Sequence, residues 1–176
     1  SNSVSVETSN LDNKNIIMEE AENKENEESN EINEITDNTQ QNVDYPEFYV
    51  ENLNLEDLKE YKLPIMLQMS ASWCPPCQKM KPYVERLYGE FKGKVLVLYV
   101  DIDEVNTEGF PIEAYPTQFF FNSDGSPFEP SEDIINKRPE KWIFITNEED
   151  EHIFTRHQGS LSNEMLLEIF NEMLNK

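Results

Sequence analysis

The chain has 176 residues, only two cysteines and a net charge of -22 at pH 7. Its length suits one domain with an extension, since a single hydrophobic core commonly takes about 100–150 residues. The acidity argues against nucleic acid or an anionic membrane as a partner, because binding to either depends on Lys and Arg side chains that neutralise phosphate. No apolar run reaches the roughly 18–20 residues of a spanning helix, so membrane attachment is expected only if an anchor precedes residue 1.

Residues 1–44 are predicted to form a disordered acidic tail or stalk. Residues 1–43 hold eleven acidic side chains, two basic ones and no aromatic residue. Such a composition buries too little apolar surface to offset the entropy that is lost on ordering. A short helix near residues 16–21, or a docking segment, is the alternative to a solvated spacer. The ordered domain is expected to cover residues 45–176.

The first half of this domain is predicted to alternate between strands and helices. Apolar runs and helical periodicity predict a short strand at 48–50, a helix at 55–61 capped by Asn54, a buried strand at 63–69, an amphipathic helix after the cysteines and a second buried strand at 95–100. Pro82 is expected to kink the amphipathic helix. The order strand, helix, strand predicts a parallel pair with a right-handed crossover.

The second half is predicted to complete a mixed sheet. The expected elements are a short helix or loop at 106–114, a strand at 118–121, a polar, proline-containing insertion at about 126–141, and a hairpin of 142–146 with 152–157. A last helix should begin after its N-cap Ser162, with an apolar stripe of Met165, Leu166, Ile169, Phe170 and Met173. The fold class is therefore α/β, with a central four- to five-stranded mixed sheet and helices on both faces.

The two cysteines occur in the segment Trp73-Cys74-Pro75-Pro76-Cys77, between a predicted strand and a predicted helix. At a helix start, unpaired N–H groups and the positive end of the helix dipole stabilise a thiolate, so Cys74 is the expected nucleophile. Cys77, about one turn further on, can attack the mixed disulfide and release the product. Pro75 and Pro76 stiffen the turn but supply no N–H donors. The segment therefore predicts thiol–disulfide exchange.

Several later residues add to the pattern of this segment: Pro82, Asp103 after the next strand, Ile112 four residues before Pro116, and Gly159 before the last helix. Together with the Trp-Cys-Pro-Pro-Cys segment, they resemble the thioredoxin superfamily. The resemblance spans 45–176 and implies a three-layer thioredoxin-like sandwich that acts on protein thiols and disulfides, together with an upstream redox partner. We expect no cofactor and a monomer.

The resemblance also implies a cis peptide bond between Tyr115 and Pro116, placed against the cysteine pair. There the backbone of Tyr115 would pair with an extended substrate. Trp73 is expected to wall the site, so that Trp73, Pro75, Pro76, Tyr115 and Pro116 are the candidate substrate-positioning residues. The Pro-Pro dipeptide is similar to that of the tryparedoxin and nucleoredoxin branch and of bacterial thioredoxin-like proteins. The acidic tail and the insertion favour a bacterial, extracytoplasmic type, with a cytoplasmic protein as the alternative.

Two positions depart from the family pattern. Thioredoxins have a buried Asp six residues before the first cysteine and a Lys on the next strand, where this chain has Gln68 and Tyr99. Gln68 cannot accept a proton at neutral pH, and Glu85 or water is the open alternative. A low-turnover binding or adaptor module is therefore the second hypothesis. Whether exchange runs as reduction, oxidation or isomerisation stays open, since small changes near the pair move its reduction potential.

A zinc site is the alternative chemistry for the cysteines, because His152 and His157 follow them. The separation is long, and in a regular strand the two histidines have opposite parity, so they should point to opposite faces. We expect both to face solvent. The acidic turn of Asp101, Asp103 and Glu104 is expected to be solvated, and no metal is assigned.

Overall fold

A computed structural model describes residues 45–176. The tail and the short helix predicted near residues 16–21 lie outside the described residues. The helices are α1 (Leu55–Lys59), α2 (Pro75–Glu90), α3 (Glu132–Ile135) and α4 (Asn163–Leu174), and the strands are β1 (Ile65–Ser70), β2 (Leu96–Asp101), β3 (Thr117–Phe121), β4 (Trp142–Thr146) and β5 (His152–Gln158). A short 3-10 turn, Pro139–Lys141, precedes β4. In this part of the chain, no helix is long and apolar enough to cross a membrane.

The five strands form one mixed sheet in the order β2-β1-β3-β5-β4. The β1 and β2 strands are parallel, and the other neighbours are antiparallel. The predicted mixed sheet and parallel pair are therefore confirmed. The predicted strand at 48–50 is reduced to a single bridge between Tyr49 and Tyr99. Residues 106–114 form turns and loop, which was one of the two predicted outcomes.

Side chains alternate between two cores because successive strand residues point to opposite faces of the sheet. On one face, Met66 and Phe120 pack against apolar residues of α2 and α4. On the other face, Leu67 and Phe119 pack against Leu58 of α1 and the loop after β2. The central strands are covered on both sides, which accounts for their continuous apolar runs.

The two long helices begin as their sequences dictate. Ser162 caps α4 through its side-chain oxygen, which accepts the Met165 N–H at 3.2 Å. Prolines occupy the first positions of α2, where their missing N–H groups have no helical partner to lose. The α2 helix runs as one element through Pro82. The N-terminus of α2 is thereby fixed directly after β1.

The chain makes a long excursion between β3 and β5, although these strands are neighbours. This excursion covers residues 122–151 and contains α3, the 3-10 turn and the outermost strand β4. The insertion predicted at about 126–141 lies within it, and that segment is not only polar. Phe128 is fully buried against Phe120, and Ile134 belongs to the same core. The excursion is therefore part of the hydrophobic core.

Candidate active site around the cysteine pair

The cysteine pair lies where β1 gives way to α2. Cys74 is the N-cap residue of α2, and its Sγ accepts the backbone N–H of Cys77 at 3.3 Å. The two sulfurs are joined in a disulfide, with the Cα atoms 5.3 Å apart. Cys74 is 4% exposed and Cys77 is fully buried, so Cys74 is the more accessible of the two sulfurs.

Tyr115 and Pro116 lie beside this pair. Tyr115 packs against the small cluster formed by Ala71, Cys74 and Cys77. The Tyr115–Pro116 peptide bond is cis, and Pro116 is buried. The Pro116 carbonyl accepts the N–H of Gly159 at 2.8 Å, which fixes the loop before β3 to the end of β5.

Trp73 forms an exposed wall next to the cysteines. Its side chain is 62% exposed, and its ring meets the Tyr115 ring edge to face with centroids 5.6 Å apart. The indole N–H donates to Asp103 Oδ1 at 3.3 Å. Asp103 is thus exposed, as expected for the acidic turn, but it also holds Trp73. Pro75 and Pro76 are exposed at the same helix end, so all seven predicted site residues belong to one region.

Arg156 supports the loop that leads to Tyr115, a role that sequence reasoning missed. Its side chain is almost fully buried in β5, and the guanidinium donates to the Pro111 carbonyl and to the Glu113 carboxylate. These contacts fasten the loop before the cis bond to the sheet. A single Arg within a strand carries no sequence signal of such a role, because polar residues alternate along most strands.

A row of buried polar side chains crosses the sheet on the face covered by α2. Gln68 of β1, Gln118 of β3 and His157 of β5 are neighbours in register and are essentially inaccessible to solvent. The His157 Nδ1 and the Gln118 Oε1 are 3.0 Å apart, and Gln118 Nε2 donates to Gln68 Oε1 at 3.1 Å. Gln68 Nε2 donates in turn to Ser70 Oγ at 3.2 Å. We call these three side chains the polar row.

His157 corrects the prediction that both histidines face solvent. It is 1% exposed, and its ring packs edge to face on Trp142. Burial lowers the pKa of His157 to about 4, and its Nε2 has no hydrogen-bond partner. A carbonyl oxygen can only accept, so Nδ1 carries the hydrogen of the neutral ring. Parity along a strand predicts that side chains alternate between the two faces of the sheet. It does not predict which face is buried, and the prediction failed for that reason.

His152 corrects the prediction of opposite faces. The β4–β5 register shifts between Ile145 and Thr146. An extra residue at such a shift resets the alternation of side chains. The His152 ring therefore packs on Phe144, and its Nε2 lies 2.9 Å from Thr155 Oγ1, on the face that also carries His157.

The sequence raised two alternatives that can be compared with the structure: zinc binding, and Glu85 in place of a buried acid. Within residues 45–176, no group of three or more His, Cys, Asp or Glu side chains could hold a metal ion. Glu85 is exposed on α2, on the solvent side of the helix, and so does not take the buried place that Gln68 occupies.

Fold and site define the class of protein. A cysteine pair starts a helix that directly follows a central strand of a mixed sheet, and a cis-proline loop lies beside it, which is a thioredoxin-like arrangement. The thioredoxin family model matches residues 47–144, more than half of the chain. The chain therefore belongs to the thioredoxin family.

Individual relatives share part of this domain. The H-type thioredoxin of Chlamydomonas reinhardtii is 41% identical over 69 residues, covering 38% of this chain and 60% of the relative. Thioredoxin H4 of Arabidopsis thaliana is 33% identical over 76 residues, covering 42% and 64%. The chain thus spans less than two thirds of the length of these relatives. A solved structure of chloroplastic thioredoxin z is 19% identical with a TM-score of 0.47, covering 73% of this chain and 96% of that one. The family assignment rests on the sequence matches.

Proposed function

We propose that the chain catalyses thiol–disulfide exchange on protein disulfides, with reduction as the main direction. The observation that carries the proposal is the position of Cys74 at the N-cap of α2, where its sulfur already accepts the Cys77 N–H. An N–H donor and the positive helix end both favour a thiolate on Cys74. Pro75 and Pro76 remove two other donors, so the Cys77 N–H is the backbone contact that matters.

The exchange proceeds in two balanced steps from the reduced pair. The Cys74 thiolate attacks one sulfur of the substrate disulfide, which forms a mixed disulfide and releases the other substrate sulfur as a thiolate. The Cys77 thiolate then attacks Cys74 Sγ, which closes the Cys74–Cys77 disulfide and releases the second substrate thiolate. Two electrons pass to the substrate, and each released thiolate takes a proton from solvent. An upstream dithiol donor restores the reduced pair.

The surroundings of Cys74 fit an extended substrate chain. The half-buried Tyr115 packs beside the pair, and its backbone precedes the buried Pro116. The exposed Trp73 ring offers an apolar wall on the same side. We propose that the Tyr115 backbone pairs with the substrate chain while Trp73, Pro75 and Pro76 border it. An extracytoplasmic location remains a prediction of the sequence.

Reduction of insulin by the full chain, with dithiothreitol as electron donor, tests this function. Wild type should accelerate reduction well above the rate with dithiothreitol alone, whereas Cys74→Ser should not. Cys77→Ser should instead accumulate a mixed disulfide on Cys74, because the resolving thiol is missing. Exposed Ser72→Ala is the matched control and should retain the wild-type rate. A wild-type rate equal to that of Cys74→Ser would refute the proposal.

A second candidate function is a low-turnover binding or adaptor module. The observation that favours it is the neutral, fully buried Gln68, whose amide contacts Met80 of α2 and offers no proton acceptor there. Recovery of one tight partner, equally by wild type and by the Cys74→Ser/Cys77→Ser double variant, would favour this candidate. Loss of that partner from the double variant would favour exchange.

A further inference from the structure

The outermost strand of the sheet, β4, has a neighbouring strand on one side only. The strand order places β5 on its inner side, and no other strand among residues 45–176 lies beyond it. An open edge presents unpaired N–H and C=O groups that can pair with another chain. Proteins commonly protect such edges with charged residues or proline, but Trp142–Thr146 contains neither. The outer edge of β4 is therefore open to pairing with a further strand.

The backbone groups of Phe144 face this outer edge. Gly159 N–H donates to the Pro116 carbonyl, so the Gly159 backbone faces β3. Backbone groups alternate in direction along a strand, so those of Arg156, three residues earlier, face β4. Arg156 pairs with Ile143 in the β4–β5 register, and the backbone groups of Ile143 therefore face inward. Those of Phe144, the next residue, face away from β5.

The other end of β4 gives the same direction for Phe144. Asn147 N–H donates to the Glu151 carbonyl across the hairpin at 2.9 Å, so the Asn147 backbone faces β5. Phe144 lies three residues from Asn147, and an odd separation reverses the direction. The Phe144 side chain is also 44% exposed, between the half-buried Ile143 and Ile145. The edge thus offers both unpaired backbone groups and apolar side chains.

The charges at the two ends of β4 are opposite in sign. Residues 137–141, before the strand, include three basic side chains and one acidic one, whereas residues 148–151, after it, include four acidic side chains and no basic one. Lys137 already pairs with Glu168, but Arg138 is exposed and Lys141 is half-buried beside the strand. In an antiparallel pair, the beginning of one strand lies beside the end of the other. A second copy of β4 therefore brings a basic end against an acidic end twice.

We propose that two copies of the chain associate through β4, antiparallel to each other about a two-fold axis at Phe144. The outward N–H and C=O groups of Phe144 then bond to those of the same residue in the other copy. This register pairs every residue of β4: Phe144 with Phe144, Ile143 with Ile145, and Trp142 with Thr146. The dimer departs from the monomer that the sequence predicts, and it does not depend on the exchange function.

The acidity of the chain weakens this association without preventing it. The net charge of -22 makes two copies repel each other at long range, but at physiological salt the Debye length is only about 8 Å. The charges next to the edge therefore decide the balance. A strand of five residues forms a small interface, so we expect a Kd on the order of 0.1–1 mM.

Sedimentation equilibrium of the full chain at physiological salt measures the association, with dithiothreitol present to prevent intermolecular disulfides. Wild type should show a reversible equilibrium between monomer and dimer. Phe144→Lys sets two like charges opposite each other and should raise the Kd at least about tenfold. Ile153→Lys is the matched control, because Ile153 is 37% exposed but lies on β5, away from the outer edge. Its Kd should stay within about twofold of wild type.

Hydrogen exchange locates the contact on the chain. The Phe144 N–H should exchange more slowly as the protein concentration rises, because the second copy occupies it. The Ile143 N–H, which faces β5, should exchange at the same slow rate at every concentration. Protection of Phe144 that does not change with concentration would show that the same chain covers the edge, and would overturn the proposal.

Lys141→Glu and Glu149→Lys test the charges at the two ends. Each should raise the Kd about threefold, although the two changes move the net charge in opposite directions. An equimolar mixture should associate more tightly than either variant alone, because every end then joins Glu to Lys. If Phe144→Lys does not fold, this pair decides the question. A monomer at about 1 mM, equal effects of Phe144→Lys and Ile153→Lys, or a mixture no tighter than the single variants overturns the proposal.

Discussion

A carboxyl group in place of the Gln68 amide would test whether water reaches the polar row. Gln68→Glu changes one atom of the side chain and leaves its length unchanged. Gln68 is fully buried on β1, with Gln118 Nε2 donating to its oxygen and Ser70 Oγ beside its nitrogen. The Gln118 donor favours an ionised carboxylate, whereas the loss of water opposes it. Because burial is complete and the neighbouring donors, the Gln118 amide and the Ser70 hydroxyl, are both neutral, desolvation should dominate.

The size of the effect follows from the shift in pKa between the unfolded and the folded chain. An unfolded Glu titrates near pH 4.3, and complete burial raises such a pKa by up to about 3–5 units. With a folded pKa of about 7, the variant loses about 3–4 kcal/mol of the free energy of unfolding, relative to wild type, at pH 8. The folded pKa is raised, so stability is retained below about pH 4 and is lost as the pH rises towards 7.

Urea denaturation of both proteins between pH 4 and pH 8 measures this difference. The gap between wild type and Gln68→Glu should be small at pH 4 and should widen steadily to pH 7. Asn171→Asp at an exposed position of α4 is the control, and its gap should stay nearly constant. A gap for Gln68→Glu that changes by less than about 0.5 kcal/mol over this range would mean that the Gln68 site is solvated, against its burial.

Two further predictions concern the core and its histidine. Phe128→Ala should lower the free energy of unfolding by about 3–5 kcal/mol, because it empties a fully buried site in the excursion, whereas exposed Ser123→Ala should change it by less than about 0.5 kcal/mol. A loss below about 1 kcal/mol would show that the excursion does not contribute to the core. Because the pKa of His157 is lowered to about 4, its contribution to stability is complete above pH 6.5 and is lost as the pH falls towards 4. Wild type should therefore lose about 1.4 kcal/mol per pH unit relative to His157→Phe in this window, and parallel stability curves would contradict the burial of a neutral imidazole.

Much of the fold could be predicted because local and global signals agree. Ser162 is a strong N-cap that stands directly before a helical stripe, and α4 begins where that combination places it. The apolar runs of β1 and β2 have strand length, and turn residues flank them. The strand predicted at 48–50 has the right residue types, but only Tyr49 forms a bridge to β2. Composition alone does not show whether the neighbouring strand is long enough to pair with all three residues.

The sequence also located one part of the candidate site and missed another. Cys74 and Cys77 could be located because their spacing carries their chemistry, whereas Tyr115 was located through the family resemblance. The polar row could not, since Gln68, Gln118 and His157 are far apart in the chain and meet only through the sheet register. The bulge that turns His152 is likewise a property of strand pairing, which single-strand parity does not contain.

The length of the excursion between β3 and β5 sets how much entropy the chain loses when these two strands come together. Each doubling of a loop adds only about 0.6 kcal/mol to the cost of bringing its ends together. A segment of residues 122–151 is roughly three doublings longer than a four-residue hairpin loop, which amounts to about 2 kcal/mol. Full burial of a Phe side chain contributes about 1.5–3 kcal/mol, so Phe128 alone offsets that closure cost. One buried side chain of the excursion thus provides as much stabilisation as the closure of this long connection costs.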